Sequence, residues 1–572
     1  MCLNAKTQMK MHGVYHMTIK KNKNLLMKKI IVGILVITNS VIAQTKPVAA
    51  SELKQPKLVV GVVVDQMRQD YIYRYWNKFG NGGFKKLINE GYFYKNTHYN
   101  YVPTYTGPGH ASIYTGTSPA THGIISNDWF VKETGKQTYC TEDPNVKSVG
   151  TESKAGLMSP KSLLVTTIGD ELKLNTNQKA KVFAISLKDR SSILPAGHSA
   201  NGAFWFDGSN GKFISSTHYM TQLPTWVSDF NSKELAKQYL SKGWNTLYPI
   251  AGYTESLADK NNYEAAPNKK DTAIFPYDYK VQLDKNNFEI IKATPYGNTI
   301  TKDLALACLK AEQLGKGKQT DMLCISFSST DYVGHSYGPR SVEVEDVYLR
   351  LDKDLEELIS ILNATVGKDN YILFLTADHG ACDVPAHLMD VKIPGGYVSE
   401  DELTKNIKTH CMNQFGDSLV LSVINQQVFL NEAKIMAMNL NKLVVEHVLV
   451  NFLLTVKGVA EAYTSEVLRN NDFIEGTFKH LIQKGYNHVR SGNVAFSYNP
   501  AWMEYHNKGT THGASYSYDT HVPLLFFGSG IPKGSTVKKV NIVDIAPTIS
   551  MMLHMSFPNG TTGKPLEEVI GK

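Results

Sequence analysis

Five short apolar runs punctuate the chain, at residues 58–64, 182–186, 323–327, 372–376 and 523–527. Each is continuous rather than alternating. That is the pattern of a strand covered on both faces, and it predicts five buried parallel strands. Between several of them the spacing becomes helical. Residues 342–362 repeat apolar positions every three or four residues and predict an amphipathic helix. The alternation predicts an α/β fold: a doubly wound, mostly parallel sheet flanked by helices. Two stretches break the rhythm. Residues about 200–300 are rich in Tyr, Trp, Asn, Gly and Pro, and residues about 390–500 mix short strand-like and helix-like pieces. Both read as insertions above the carboxyl ends of the strands, within one catalytic domain spanning residues 44–572.

Charge alters this picture only at the start of the chain. The formal charge is +8, but residues 1–43 hold seven lysines and no acids, and the remainder carries 53 bases against 52 acids. That balance argues against a dedicated nucleic-acid partner. The basic segment reads as a signal peptide: Lys28 and Lys29, an apolar run from Ile30 to Ile37, and small residues before Gln44. A start at Met27 gives a signal of ordinary length, which marks the first 26 residues as a candidate mis-start. The run is short for a bilayer span, and nothing later looks transmembrane. The expectation is an exported protein, periplasmic or secreted, with a monomer plausible. Cys140, Cys308, Cys324, Cys382 and Cys411 remain after the leader, without C-x-x-C spacing; one or two disulfides are compatible with export, and the odd count leaves a thiol over.

Polar residues gather just after the predicted strands. Asp65 ends the first, Asp331 and His335 follow the third, and Asp378-His379 follow the fourth; His512 lies in Thr510-Thr511-His512-Gly513. Ligands of open α/β sheets bind beyond the carboxyl ends of the strands, so these side chains are aimed at one crevice. Singly, each Asp is a turn or cap residue and each His a core or surface one. Jointly, three Asp and three His suffice for two zinc sites of mixed oxygen and nitrogen ligands.

A second segment, Thr106-Gly107-Pro108-Gly109-His110, precedes a helical stretch, with Pro108 suited to its first turn. A hydroxyl there faces free backbone N–H groups and the positive end of the helix, which suits a phosphoryl oxygen. Thr106 is then either a plain helix cap or a nucleophile, and the nucleophile needs a metal or a base to activate it.

With these segments the chain resembles the alkaline phosphatase superfamily, and within it the phosphate-irrepressible alkaline phosphatases of flavobacteria, the PafA type. The segments carrying the resemblance are Val64-Asp65-Gln66-Met67-Arg68, Thr106-Gly107-Pro108-Gly109-His110, Thr121-His122-Gly123-Ile124-Ile125-Ser126-Asn127, Leu187-Lys188-Asp189-Arg190, Asp331-Tyr332-Val333-Gly334-His335, Ala377-Asp378-His379-Gly380 and Thr511-His512-Gly513, in family order.

The resemblance implies a zinc-dependent alkaline phosphatase of broad specificity that cleaves phosphate monoesters through a phosphothreonine at Thr106. It implies one zinc on Asp331, His335 and His512, and a second on Asp65, Asp378, His379 and the Thr106 hydroxyl. It also implies that Asn127, Lys188 and Arg190 bind the phosphoryl group. Lys188 would fill the place of a magnesium ion, so no required Mg²⁺ is expected. No C-x-P-x-R sulfatase motif is present. Two other readings stand beside this one: a phosphodiesterase on the same scaffold, and a non-catalytic protein that keeps zinc for structure.

Overall fold

The run Leu58–Val64 forms strand β1, and every one of its residues is buried. Successive side chains of a strand point to opposite faces, so the sheet is covered on both sides, as a continuous apolar run requires. The computed structural model describes residues 55–265, 273–505 and 507–570. The signal-peptide expectation, with its cleavage before Gln44 and the start at Met27, lies outside the described residues. Among them no helix is long and apolar enough to cross a membrane.

In chain order the main sheet also contains β2 (Tyr92–His98), β3 (Val182–Ser186), β4 (Gly202–Asp207), β5 (Lys212–Ser216), β6 (Asp321–Phe327), β7 (Tyr371–Thr376) and β8 (His521–Gly528). Spatially they run β2-β8-β7-β1-β6-β3-β4-β5, with short strands at each end. β1 pairs parallel with both β6 and β7, and β3 pairs parallel with both β6 and β4. The helices that bear on the site are α1 (Thr106–Thr115), α2 (Asp189–Ala196), α3 (Ser329–Tyr337) and α4 (Val342–Thr365). The last realises the amphipathic repeat, its Ser341 hydroxyl accepting from Val344 N as an N-cap. The mostly parallel α/β fold expected from the sequence is the fold observed.

Two details differ from that expectation. The run at 523–527 lies in β8, which pairs antiparallel with β7. The chain leaves β7 at the carboxyl edge, builds the 390–500 insertion and returns through His512 to the same edge, so β8 must run backwards. A buried apolar run reports burial, not direction. Further, residues 202–216 are not part of an insertion above the sheet. They form the β4–β5 hairpin, which extends the sheet edge.

The 390–500 segment holds an antiparallel four-stranded sheet, packed with the helices Glu400–Phe415 and Lys442–Leu453 around its own apolar cluster. All five cysteines from Cys140 to Cys411 are buried free thiols, so none of the allowed disulfides forms among the described residues.

Candidate active site

The predicted residues come from the carboxyl edge of the sheet. Asp65 follows β1, Asp331 and His335 lie on α3 just past β6, Asp378 and His379 follow β7, and His512 approaches on the segment leading into β8. Asp65, Asp378 and His379 are fully buried, and Asp331 is nearly so. Asp331 Oδ1 lies 3.2 Å from His335 Nε2 and 3.6 Å from His512 Nε2. His379 Nε2 lies 3.5 Å from Asp65 Oδ1 and 3.5 Å from Asp378 Oδ2. The six side chains therefore share one crevice. They divide less cleanly than the resemblance implies, because Asp331 converges on Asp65 and His379 as well as on His335 and His512.

Thr106 is the first residue of α1 rather than a cap before it. Its Oγ1 lies 3.5 Å from His379 Nε2 and 3.4 Å from Lys188 Nζ. Pro108 fits the first turn because an N–H there has no intrahelical acceptor. Gly109 lets the turn touch the Asp378 segment: a Cβ would sit 2.5 Å from Asp378 O.

Lys188 is buried between two carboxylates, donating to Asp65 Oδ2 at 2.7 Å and Asp331 Oδ2 at 2.6 Å. Arg190, at the start of α2, donates through Nη1 to Tyr139 OH at 2.8 Å, while its Nε is buried without a partner. Gly107 N donates to Asn127 Oδ1 at 2.8 Å, which fixes that amide beside Thr106.

Several observations bear on whether cations fit here. Each histidine spends Nδ1 on a backbone carbonyl: His335 on Thr510 O (2.7 Å), His379 on Gly380 O (2.9 Å) and His512 on Thr104 O (2.7 Å). Those bonds place the proton on Nδ1 and turn the Nε2 lone pairs inward, as metal-binding histidines require. Asp65 Oδ1 and Asp378 Oδ2 are buried with no hydrogen-bond partner. Three carboxylates set against one buried lysine leave an excess of acid for cations to balance.

The electrostatics agree. Burial, followed by the charges of Asp331 and Asp378, raises Asp65 well above the usual carboxylate range, and burial pushes Asp378 up to about 7. Burial and the neighbouring His335 push His512 down to about 3, keeping its imidazole neutral. The donor set fits divalent cations that accept both oxygen and imidazole.

Gln66 has no role assigned by the sequence pattern, yet it joins the two halves of the crevice. Its N–H donates to Asp378 Oδ1 at 3.1 Å, and its Nε2 donates to Asp331 Oδ1 at 2.7 Å. It holds this bridge at φ 64°, a left-handed backbone unusual for a glutamine. Gly334 makes room for the amide, since a Cβ there would lie 1.9 Å from Gln66 Oε1. The signal in the sequence was its place directly after Asp65. A cavity adjoins the crevice, lined by Tyr105, Tyr498, Trp502 and His512 among others.

The chain matches the family of type I phosphodiesterases / nucleotide pyrophosphatases over residues 59–518. It is 46% identical over 516 residues to alkaline phosphatase PhoV of Synechococcus elongatus, covering 90% of this chain and 93% of that protein. It is 45% identical over 531 residues to a Myroides odoratus protein named calcium-transporting ATPase, covering 91% and 96%. Alkaline phosphatase PafA of Elizabethkingia meningoseptica is 44% identical over 550 residues, covering 95% and 99%. A crystal structure of wild-type PafA superposes with a TM-score of 0.88 at 44% identity, covering 90% of this chain and 99% of that one.

Proposed function

This chain belongs to the type I phosphodiesterase / nucleotide pyrophosphatase family of the alkaline phosphatase superfamily, and on that premise we propose that it is a zinc-dependent phosphomonoesterase of broad specificity acting through Thr106. As an enzyme it is an alkaline phosphatase, like the PhoV and PafA relatives. Asp331, His335 and His512 would hold one zinc, and Asp65, Asp378, His379 and the Thr106 hydroxyl the other. Bound there, the pair would supply Lewis-acid chemistry: polarisation of the threonine hydroxyl, the ester oxygen and water.

The chain's own groups do the rest. Thr106 Oγ attacks phosphorus in line with the departing alcohol. This forms a phosphothreonine, which water then hydrolyses to release inorganic phosphate and restore the hydroxyl. The first-turn N–H groups of α1 face the nonbridging oxygens. Lys188, Arg190 and the amide of Asn127 gather charge onto those oxygens, where it spreads in the transition state. A monoester offers three such oxygens with about two charges, and Arg presents a planar fork to two of them. Mg²⁺ has no part in this scheme, because Lys188 supplies the positive charge. The leader points to export, and the adjoining cavity offers a place for the alcohol.

The observation that carries this reading is the buried Lys188, 3.4 Å from Thr106 Oγ1 and paired with Asp65 and Asp331. The family description favours a second reading, a phosphodiesterase, which would use the same nucleophile. The test compares an aryl phosphate monoester with the matching diester on purified protein, with zinc measured alongside. Preference for the monoester and about two zincs per chain support the proposal. Preference for the diester, or full activity without zinc, overturns it.

A further inference from the structure

The hairpin of strands Asp128–Val131 and Lys136–Tyr139 belongs to none of the segments that mark the site in the sequence. It starts directly after Asn127 and ends on Tyr139. Cys140 N donates to Asn127 O at 2.8 Å, which closes the hairpin at its base and ties Tyr139 to the segment carrying the Asn127 amide. Trp129 and Cys140 are buried with Ala111 of α1 and Leu194 of α2, and Tyr139 packs against the same cluster. The hairpin is therefore anchored on both helices that carry groups of the proposed site.

Tyr139 meets Arg190 there. Arg190 Nη1 donates to the Tyr139 hydroxyl at 2.8 Å, and the guanidinium carbon lies 5.9 Å from the ring centre. The phenol in turn donates to Asp189 Oδ1 at 2.7 Å, and Thr141 Oγ1 donates to the same oxygen at 3.1 Å. Burial holds the Tyr139 hydroxyl well above the usual phenol range, so it keeps the proton it gives to Asp189 and offers a lone pair to Arg190. Hydrogen bonds in such a chain polarise one another, which makes the phenol oxygen a better acceptor. Asp189 is the first residue of α2, where the positive end of the helix favours a carboxylate.

The two neighbouring cations are held in opposite ways. Lys188 pairs directly with Asp65 and Asp331. Arg190 is anchored through a neutral hydroxyl, and its Nε is buried without a partner. A carboxylate in direct contact would compete with a phosphoryl dianion for the same planar fork. A phenol fixes the fork in place and leaves its charge to the substrate. We propose that Tyr139, held by Asp189, is a positioning residue: it fixes the Arg190 fork in the orientation that meets two nonbridging oxygens of a phosphate monoester. The proposal rests on the reading in which Arg190 binds the phosphoryl group. A free arginine side chain loses rotamer freedom each time it closes on a substrate, and prior anchoring removes that loss from the binding step.

The test is a mutant cycle on the purified full chain loaded with zinc. Tyr139→Phe keeps the ring and its packing and removes the acceptor. It should lower kcat/KM for an aryl phosphate monoester by about tenfold and weaken competitive inhibition by inorganic phosphate by about the same factor, with the diester changed less than about twofold. In the Arg190→Ala background the same substitution should add less than about twofold, because the group it positions is gone. Asp189→Asn, which removes the charge behind the phenol, should give a smaller monoester loss of about threefold, and it decides the matter if Tyr139→Phe does not fold. An undiminished further loss in the Arg190→Ala background, or equal losses on monoester and diester, overturns the proposal in favour of a purely structural tyrosine. Full monoester activity in Tyr139→Phe beside an impaired Arg190→Ala overturns this proposal alone. Full activity in Arg190→Ala overturns it together with the Arg190 reading.

Discussion

Two buried acidic clusters sit in the same α/β body and are built from different donors. In the crevice, Asp65, Asp331 and Asp378 meet three imidazoles oriented through Nδ1, and Lys188 is set between two of the carboxylates. Outside the crevice, Glu343 Oε1 accepts from the Tyr277 hydroxyl, Glu264 Oε1 accepts from Asn261, and the second oxygen of each is buried without a partner. Nitrogen donors and a fixed internal cation make a rigid, partly charge-balanced crevice suited to zinc and to a phosphoryl group. Glu264 and Glu343 have no such neighbours, and burial raises both well above the usual carboxylate range. Buried negative charge is thus not one signal. The groups around the carboxylates decide whether a charge is kept or a proton is taken up.

The largest expected effect separates the two clusters outright. Thr106→Ala should lower monoester turnover by on the order of 10⁴-fold or more, while leaving zinc content and unfolding midpoint near wild type. Steady-state kinetics with metal analysis checks this, and unchanged turnover breaks the crevice side of the comparison. Next comes the phosphoryl clamp. Lys188→Ala with Arg190→Ala should cut kcat/KM for an aryl monoester by about 10²–10³-fold and for the diester by less than about tenfold. Equal losses on both esters would remove the charge argument for monoesters.

Gln66→Ala tests the bridge between the two halves of the crevice. Loss of its donor to Asp331 should weaken zinc binding by about 10–100-fold in a chelator competition. Unchanged zinc binding would remove the bridging role of this amide.

The smallest effect concerns a buried acid that keeps its own lysine. Burial pushes Asp354 up to about 6, against the opposing pull of Lys302 Nζ at 3.3 Å. Its folded pKa thus lies above its unfolded value. The folded form holds the proton longer, so this group's contribution to stability falls as pH rises from about 4 to about 6. Asp354→Asn should flatten that part of the stability profile by a degree or two in unfolding midpoint, with no change in metal content.

Much of the site was legible because its residues announce themselves by type and place. Asp65, Asp378 and His379 stand directly after continuous apolar runs, and a strand delivers the residues just beyond its end to a known edge of the sheet. His335 lies one helical turn after Asp331, a spacing that puts both on one face. For Gln66 the sequence offered only its place after Asp65, since its role rests on its backbone N–H and side-chain amide reaching residues 312 and 265 positions away. The hairpin at 202–216 was hidden in a Tyr- and Trp-rich stretch that looked irregular.

The sequence by itself determined the buried strands, the amphipathic helix of α4 and the inventory of candidate site residues. Local periodicity and residue chemistry are properties of neighbours along the chain. Only the tertiary structure decided that β8 runs antiparallel and that Asp331 is shared between both halves of the crevice. Each of these depends on where distant segments come together, and burial patterns record that a residue is covered but not by which partner.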